Sequence, residues 1–368
     1  MSLILKSDNK ALKETGRNIF NIATSLDRAL FVADFGIEKY VIREGATLKA
    51  KSFSDIINYS RTGYTEYYSK TKGWLVADPN IPAIHFDKQS NLKGLLHEGA
   101  IAGAEQIINR QGLDVQSSET VTTTYRTDYI WLMMEGEGSV VVSGNISNRV
   151  VGEGLTCTEN KPLFLKLEDN AGNSTINFTT HGDVTAFSMV RGGTGVPNGG
   201  RVPYLNKNSY RSRGATNITL TDNVKNIVAA KDTYTVLLDI SAAYGVPSSL
   251  ASVFIGNKTG NRFQLDTDTY GFSAATYSAS GRYEAILSRS QPVGIKNSVF
   301  AVTVLKSINR VIVTNCLSHA QSLLDFPIDG FDINFSRTNS LINRIAVFEG
   351  GFSQTQLREL AREWQVFG

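Results

Sequence analysis

The residues that could do chemistry are few and dispersed. Four histidines (His85, His97, His181, His319) include no pair at metal-ligand spacing. His97-Glu98 runs on into Gly-Ala-Ile instead of completing the His-Glu-x-x-His pattern that puts two imidazoles on one helix face. No metal site is expected. Cys157 and Cys316 are far apart, each in a strand-like run, and are expected as two reduced, buried thiols that pack as small hydrophobes. The densest carboxylates, Asp325, Asp329 and Asp332, fall in a Pro/Gly loop. They lack both the alternate-residue spacing of a calcium loop and the recognisable pairing of a glycosidase, so they read as solvated loop acids. The Gly-rich stretch 191–200 has no Gly-Lys-Ser/Thr ending and no following helix, which makes it a turn-rich linker and not a phosphate loop. No Gly-x-Ser-x-Gly elbow occurs either. The chain is not expected to be an enzyme, and no cofactor is expected.

One run does carry a candidate binding face. In Arg262-Phe-Gln-Leu-Asp-Thr-Asp-Thr-Tyr270, strand alternation sends Phe263 and Leu265 to one side. Arg262, Gln264, Asp266, Asp268 and Tyr270 go to the other. Amide, carboxylate and phenol groups in one row are the mixture that sugar recognition uses. Gln264, Asp266, Asp268 and Tyr270 are therefore the candidate glycan-binding residues, with a merely solvated sheet face as the plainer alternative. Trp131, among Ile130, Leu132 and Met133, reads as core sooner than as a sugar platform.

The elements that would position such a face are mostly strands. Of 368 residues, 41% are hydrophobic, enough for a real core, and 91 are Asn, Ser or Thr. That polar, uncharged quarter suits two-faced sheets and their loops. The net charge of +3 arises wholly in the first hundred residues (14 Lys+Arg against 11 Asp+Glu), with no concentrated basic tract, so no nucleic-acid partner is expected. No run approaches the ~18 apolar residues of a membrane span, and the start does not read as a signal peptide, so membrane insertion is not expected. Residues 5–30 read as a helix, from Leu12, Ile19, Phe20, Ile22, Ala23, Leu26 and Leu30 falling loosely at three- and four-residue spacing. From Ala33 to about Ile101 short strands alternate with turns, and 115–191 show the runs of five to eight residues expected of a sandwich. Strands resume at Tyr234. The period then switches in Ser353–Trp364, where a Ser cap precedes Leu357, Leu360, Ala361 and Trp364 on one helix face.

Several stretches resemble a segment recurrent in bacteriophage tail-fibre and other virion proteins. They are Ser52-Phe-Ser-Asp-Ile-Ile-Asn-Tyr-Ser-Arg-Thr-Gly63, Gly73-Trp-Leu-Val-Ala-Asp-Pro-Asn-Ile-Pro82, Ile84-His-Phe-Asp87 and Gly94-Leu-Leu-His-Glu-Gly-Ala100. His85 stands where that segment usually has Arg, His97 replaces an aliphatic residue, and Ile101-Ala replaces Arg-Thr. Phe187-Ser-Met-Val-Arg-Gly-Gly-Thr-Gly-Val-Pro197 resembles the close of a jelly-roll, carbohydrate-binding-like module in the same proteins, with Arg191 in place of Glu. Ile342–Leu360 resembles the last strand and helix of phage concanavalin-like (laminin-G-like) domains. The three matches come in the family's order and span most of 52–364.

The resemblance implies a mainly β chain: two β-sandwiches, jelly-roll-like then concanavalin-like, after a small mixed N-terminal module, with a short C-terminal helix. The expected divisions are an N-terminal arm or helix (1–50) that docks on the virion or simply frays, a β-rich phage-type module (51–112), the jelly-roll-like sandwich (113–200), a linker (201–229) and the concanavalin-like sandwich (230–368). It further implies a phage virion structural protein, of tail fibre, baseplate or another appendage, made in the bacterial host cytoplasm. Its expected partners are other virion proteins and host surface polysaccharide, and a homo-oligomer, a trimer first, is expected. A purely architectural or decoration protein without ligand is the alternative, and a polysaccharide depolymerase a further one.

Overall fold

Short β-branched and aromatic runs bounded by Gly, Asn and Asp form strands throughout the described residues. The computed structural model describes residues 27–87, 92–99, 101–102, 105–111, 119–123, 129–144, 146–151, 155–159, 161, 163–167, 174–192, 212–242, 251–256, 260–268, 271–280, 283–290, 298–314, 319–323, 328, 330–336, 340–353 and 355–356. The protein is mainly β, with sheets packed face to face.

The first block holds β1 (Ala29–Asp34), β2 (Lys39–Glu44), β3 (Thr47–Lys51), helix α1 (Phe53–Ile56), β4 (Ile57–Ser60), β5 (Thr65–Ser69), β6 (Gly73–Ala77), β7 (Ile84–Asp87), β8 (Leu92–His97) and β9 (Ile101–Ala102). The second holds β10 (Glu105–Gln111), β11 (Glu119–Thr123), β12 (Tyr129–Glu135), β13 (Ser139–Gly144), β14 (Ile146–Val151), β15 (Thr156–Cys157), β16 (Leu163–Leu167), β17 (Ser174–His181) and β18 (Ala186–Gly192). The third holds β19 (Ser212–Arg213), β20 (Asn217–Leu220), helix α2 (Asp222–Ala229), β21 (Thr233–Ala242), β22 (Ala251–Gly256), β23 (Arg262–Asp268), β24 (Gly271–Tyr277), β25 (Tyr283–Ser290), β26 (Ser298–Leu305), β27 (Arg310–Thr314), β28 (His319–Leu323), β29 (Ile333–Ser336) and β30 (Ser340–Glu349).

The second block is a sandwich nested within the first and third. Its pairings run β10 with β18, β11 with β17, β12 with β16 and β13 with β15, all antiparallel. First pairs with last and second with second-last, the wrapped hairpin of a jelly roll. Two sheets, β10-β18-β12-β16-β14 and β11-β17-β13-β15, close on Leu132, Met134, Val140, Ile176, Phe178 and Phe187. The Phe178 and Phe187 rings meet edge to face at 4.9 Å. Cys157 is a free, fully buried thiol in this core, its pKa pushed up to about 12 by burial.

The outer blocks share one larger sandwich. A ten-stranded sheet runs β28-β27-β26-β21-β30-β1-β2-β3, with β8 added on β30 and β7 on β8. It faces the five-stranded sheet β25-β24-β23-β22-β29 across Val236, Leu238, Val302 and Ile345 on one side and Val253, Phe263, Leu265 and Phe335 on the other. The large sheet is buried on its second face as well, where Ala29, Val32, Leu237, Ala346 and Phe348 cluster. Gly94 is needed where β8 meets β30: a Cβ there would lie 2.8 Å from the Ile342 carbonyl oxygen and 2.9 Å from Asn343 Oδ1.

The two ends of the jelly-roll block are held together at the larger sandwich. β9 pairs with β19 through Ala102↔Ser212 and Ile101↔Arg213. Beside that ladder the Gly214 N–H donates to the Thr62 carbonyl at 3.1 Å. Thr216 N–H donates to the Glu98 carbonyl at 2.8 Å, and Glu98 N–H donates back to Thr216 Oγ1 at 3.2 Å.

Several expectations need correction. Of the helix expected over 5–30, residues 1–26 lie outside the described residues, and Ala29 and Leu30 belong to β1. That strand is an apolar run buried on both faces between β2 and β30. The divisions at 50 and 112 do not separate the N-terminal part from 230–368, because β1 and β8 both pair with β30. Within the stretch expected as short strands and turns, Phe53–Ile56 forms α1 because Ser52 N–H and hydroxyl both donate to Asp55 Oδ2, at 2.8 and 2.7 Å. The linker expected at 201–229 holds β19, β20 and α2; Val224 and Val228, one turn apart, are buried in the core, and Thr221 Oγ1 donates to the Asp55 carbonyl at 2.8 Å. The Ser353 cap expected for a C-terminal helix is present: Gln356 N–H donates to Ser353 Oγ at 3.3 Å while Ser353 N–H donates to Gln356 Oε1 at 2.9 Å. Residues 357–368, with Leu357, Leu360, Ala361 and Trp364, lie outside the described residues.

Candidate functional site

The candidate face lies on the central strand of the five-stranded sheet. β23 has β22 on one side and β24 on the other. Phe263 and Leu265 are completely buried against the large sheet, while Arg262 and Gln264 are half-buried on the outer face. The alternation read from sequence is therefore present over these four residues. Asp266 and Asp268 occupy positions of the same parity farther along β23, opposite Ser273 and Gly271 on β24; their side chains, and the whole of Tyr270, lie outside the described residues.

Neighbouring strands complete this face. Gln264 sits opposite Phe254 on β22 and Ala275 on β24, and Phe254 in turn sits opposite Asn334 on β29. Phe254, Tyr277 and Asn334 are all half-buried. The Arg262 guanidinium lies between two rings, 5.4 Å from the Phe254 centroid and 4.7 Å from that of Tyr277. Its Nη1 donates to the Gly260 carbonyl at 3.4 Å, and its buried Nε has no acceptor. An arginine flanked by rings, beside an Asn and a Gln, forms a shallow platform that mixes apolar rings with hydrogen-bonding groups. Sequence reading placed Arg262 on this face but missed the clamp. Tyr277 sits directly opposite Arg262 on β24 and Phe254 lies diagonal to it on β22, a juxtaposition made by strand pairing and not by any local pattern.

The other polar clusters are structural. Asp332, one of the three loop acids, accepts N–H bonds from Leu220 (3.1 Å) and Ile333 (2.8 Å) and pairs with Lys225 at 2.9 Å, fastening β20 and α2 to β29. Asp325 and Asp329 lie outside the described residues. Arg61 is buried and donates to the Gly63, Ala77 and Asp78 carbonyls and to Tyr59 Oη, stapling the turn before β5 to the end of β6. Glu98 is buried and accepts from Thr65 Oγ1. His85 and His97 are buried and His181 is exposed; His85 Nδ1 accepts the Tyr68 N–H at 2.9 Å, which leaves the ring proton on Nε2. On the second face of the large sheet, Asp34, Arg344 and Asp239 stand in one row across β1, β30 and β21. Among the described residues no three His, Cys, Asp or Glu side chains converge to hold a metal ion. Cys316 lies outside the described residues.

No protein-family profile matches the chain, and no curated protein matches it. Among solved structures, the chain is similar to the CBM40 module of a Ruminococcus gnavus IT-sialidase bound to α2,3-sialyllactose. The identity is 13% and the TM-score 0.30, over 38% of this chain and 88% of that one. It is also similar to the mouse laminin α1 chain domains LG4-5, with 8% identity and a TM-score of 0.24 over 68% of this chain and 86% of that one. A third likeness, to the extracellular region of zebrafish Gpr126/Adgrg6, has 10% identity and a TM-score of 0.25 over 69% and 36% of the two chains.

Proposed function

We propose that this chain is a bacteriophage virion structural protein, of a tail fibre, baseplate or other appendage, whose lectin-like sandwiches attach the particle to host surface glycan. Two things support this reading. One is the ordered resemblance of 52–100, 187–197 and 342–360 to virion proteins. The observation that carries the glycan part is the outer face of β22, β23 and β29, where Phe254, Gln264, Arg262 and Asn334 combine rings with amide and guanidinium donors. The protein acts by binding and not by catalysis. It is made in the host cytoplasm, assembles with other virion proteins and forms a homo-oligomer, a trimer by the symmetry of tail appendages. Each hydrogen bond to sugar replaces one to water and nets only about 0.5–1.5 kcal/mol, so useful adhesion needs several copies on one particle.

The test is adsorption by particles carrying Asp266→Ala with Tyr270→Ala. The expected result is a several-fold slower adsorption with unchanged circular dichroism of the purified variant. Unchanged adsorption by the folded double variant would favour the purely architectural role.

A further inference from the structure

We propose that Arg262 is an oxyanion receptor, and that the glycan bound on this face is acidic, carrying a carboxylate or a phosphate. The inference rests on the attachment reading above and names its ligand class. A guanidinium has five N–H donors in a rigid fork that matches a planar oxyanion two bonds at a time. Arg262 uses one of the five, in a 3.4 Å bond to the Gly260 carbonyl. Its Nε is buried with no acceptor, and no carboxylate among the described residues forms an ion pair with it. Among the described residues, the half-buried guanidinium therefore has no counter-charge.

The same group is held in place. Phe254 and Tyr277, on the two strands flanking β23, lie 5.4 and 4.7 Å from its central carbon. Rings on both sides restrict the side chain without consuming its in-plane donors, so the usual entropy loss of ordering a long arginine is already met before the anion arrives. A structural arginine in this protein looks different: Arg61 spends its donors on three carbonyls and a phenol, and Arg344 puts two on Asp239. Arg262 has the fixed position of those two without their partners. The rings beside it suit the apolar face of a pyranose, and Asn334 lies across Phe254 in the same row.

The experiment is calorimetric titration of the full chain with digalacturonate, glucose 6-phosphate and lactose, on wild type, Arg262→Gln and Arg262→Lys. The expected result is binding of at least one acidic probe, weakened severalfold between 50 and 300 mM salt, and no comparable binding of lactose. Arg262→Gln should lower the affinity at least tenfold, and Arg262→Lys, which keeps the charge but loses the fork, should lower it nearly as much. Preference for digalacturonate assigns the anion as a carboxylate, and preference for glucose 6-phosphate as a phosphate. Absence of binding to both acidic probes, or affinity retained in folded Arg262→Gln, would overturn the receptor; should Arg262→Gln not fold, the same comparison with Arg262→Lys decides. Cell adsorption that survives Arg262→Gln alongside absent acidic binding overturns this inference and leaves attachment standing, whereas a wild-type protein that binds no host cell overturns attachment itself.

Discussion

Arg344→Ala is expected to destabilise the larger sandwich by about 3–5 kcal/mol, the cost of leaving a buried charge without its partner. Arg344 and Asp239 are 2% and 0% exposed, and Nε and Nη2 of the arginine donate to Asp239 Oδ2 at 3.0 and 2.8 Å. Asn343 Nδ2 adds a bond to Asp239 Oδ1 at 3.2 Å and one to Ser241 Oγ at 3.2 Å. Deleting the guanidinium strands the Asp239 carboxylate, with Asp34 beside it as a second acid. Adding Asp239→Asn to the Arg344→Ala variant should recover part of the loss, since a neutral amide keeps the oxygen that Asn343 needs. Urea unfolding at pH 7 checks this; a loss under about 1 kcal/mol, well below the cost of a stranded buried charge, would mean the row is solvated or rearranges freely.

The second large effect is a pH dependence centred on Asp34. Burial pushes its carboxyl up from 3.8 to about 6, against the opposing pull of the Arg344 charge and the N–H of Ile37, which donates to Oδ1 at 3.2 Å. Asp239 adds repulsion, and Oδ2 is buried without a partner. The folded pKa is the higher one, so the folded state holds this proton more tightly than the unfolded chain does. The stabilisation is complete below about pH 4 and is lost as the pH rises through about 6. The difference between 3.8 and about 6 corresponds to ~3 kcal/mol. Asp34→Asn stays neutral and keeps the acceptor for Ile37. It should match wild type near pH 4 and exceed it by up to ~3 kcal/mol at pH 7.5. Paired urea titrations across that range give the difference directly. A constant difference would show that Asp34 does not titrate in the window.

Local pattern was legible in the sequence, and long-range pairing was not. Strand alternation correctly put Phe263 and Leu265 inside and Gln264 outside, because a sheet with one packed face imposes a period of two. Ser353 was readable as a cap because its partner, Gln356, is three residues away. Burial of Cys157 followed from the strand-like run around it. By contrast, nothing local signals that Phe31 pairs with Val347 or that Leu95 pairs with Ile342. The reading along the chain therefore produced consecutive modules where the molecule has one sandwich interrupted by another. The helix at Asp222–Ala229 was hidden by its polar residues: it buries Val224 and Val228 and rests Ile227 against the core. The Arg262 clamp was invisible for the same reason as the pairing: its rings come from two other strands.

Attachment is tested most directly on intact particles, with antibody fragments raised against the purified chain. The account predicts gold label on an exposed tail appendage and adsorption blocked in proportion to the fragment bound. Purified chain added to host cells beforehand should likewise compete with the particle. Particles that carry the label yet adsorb at full rate when saturated with fragment, or that never bind it while adsorbing normally, would contradict a role in attachment.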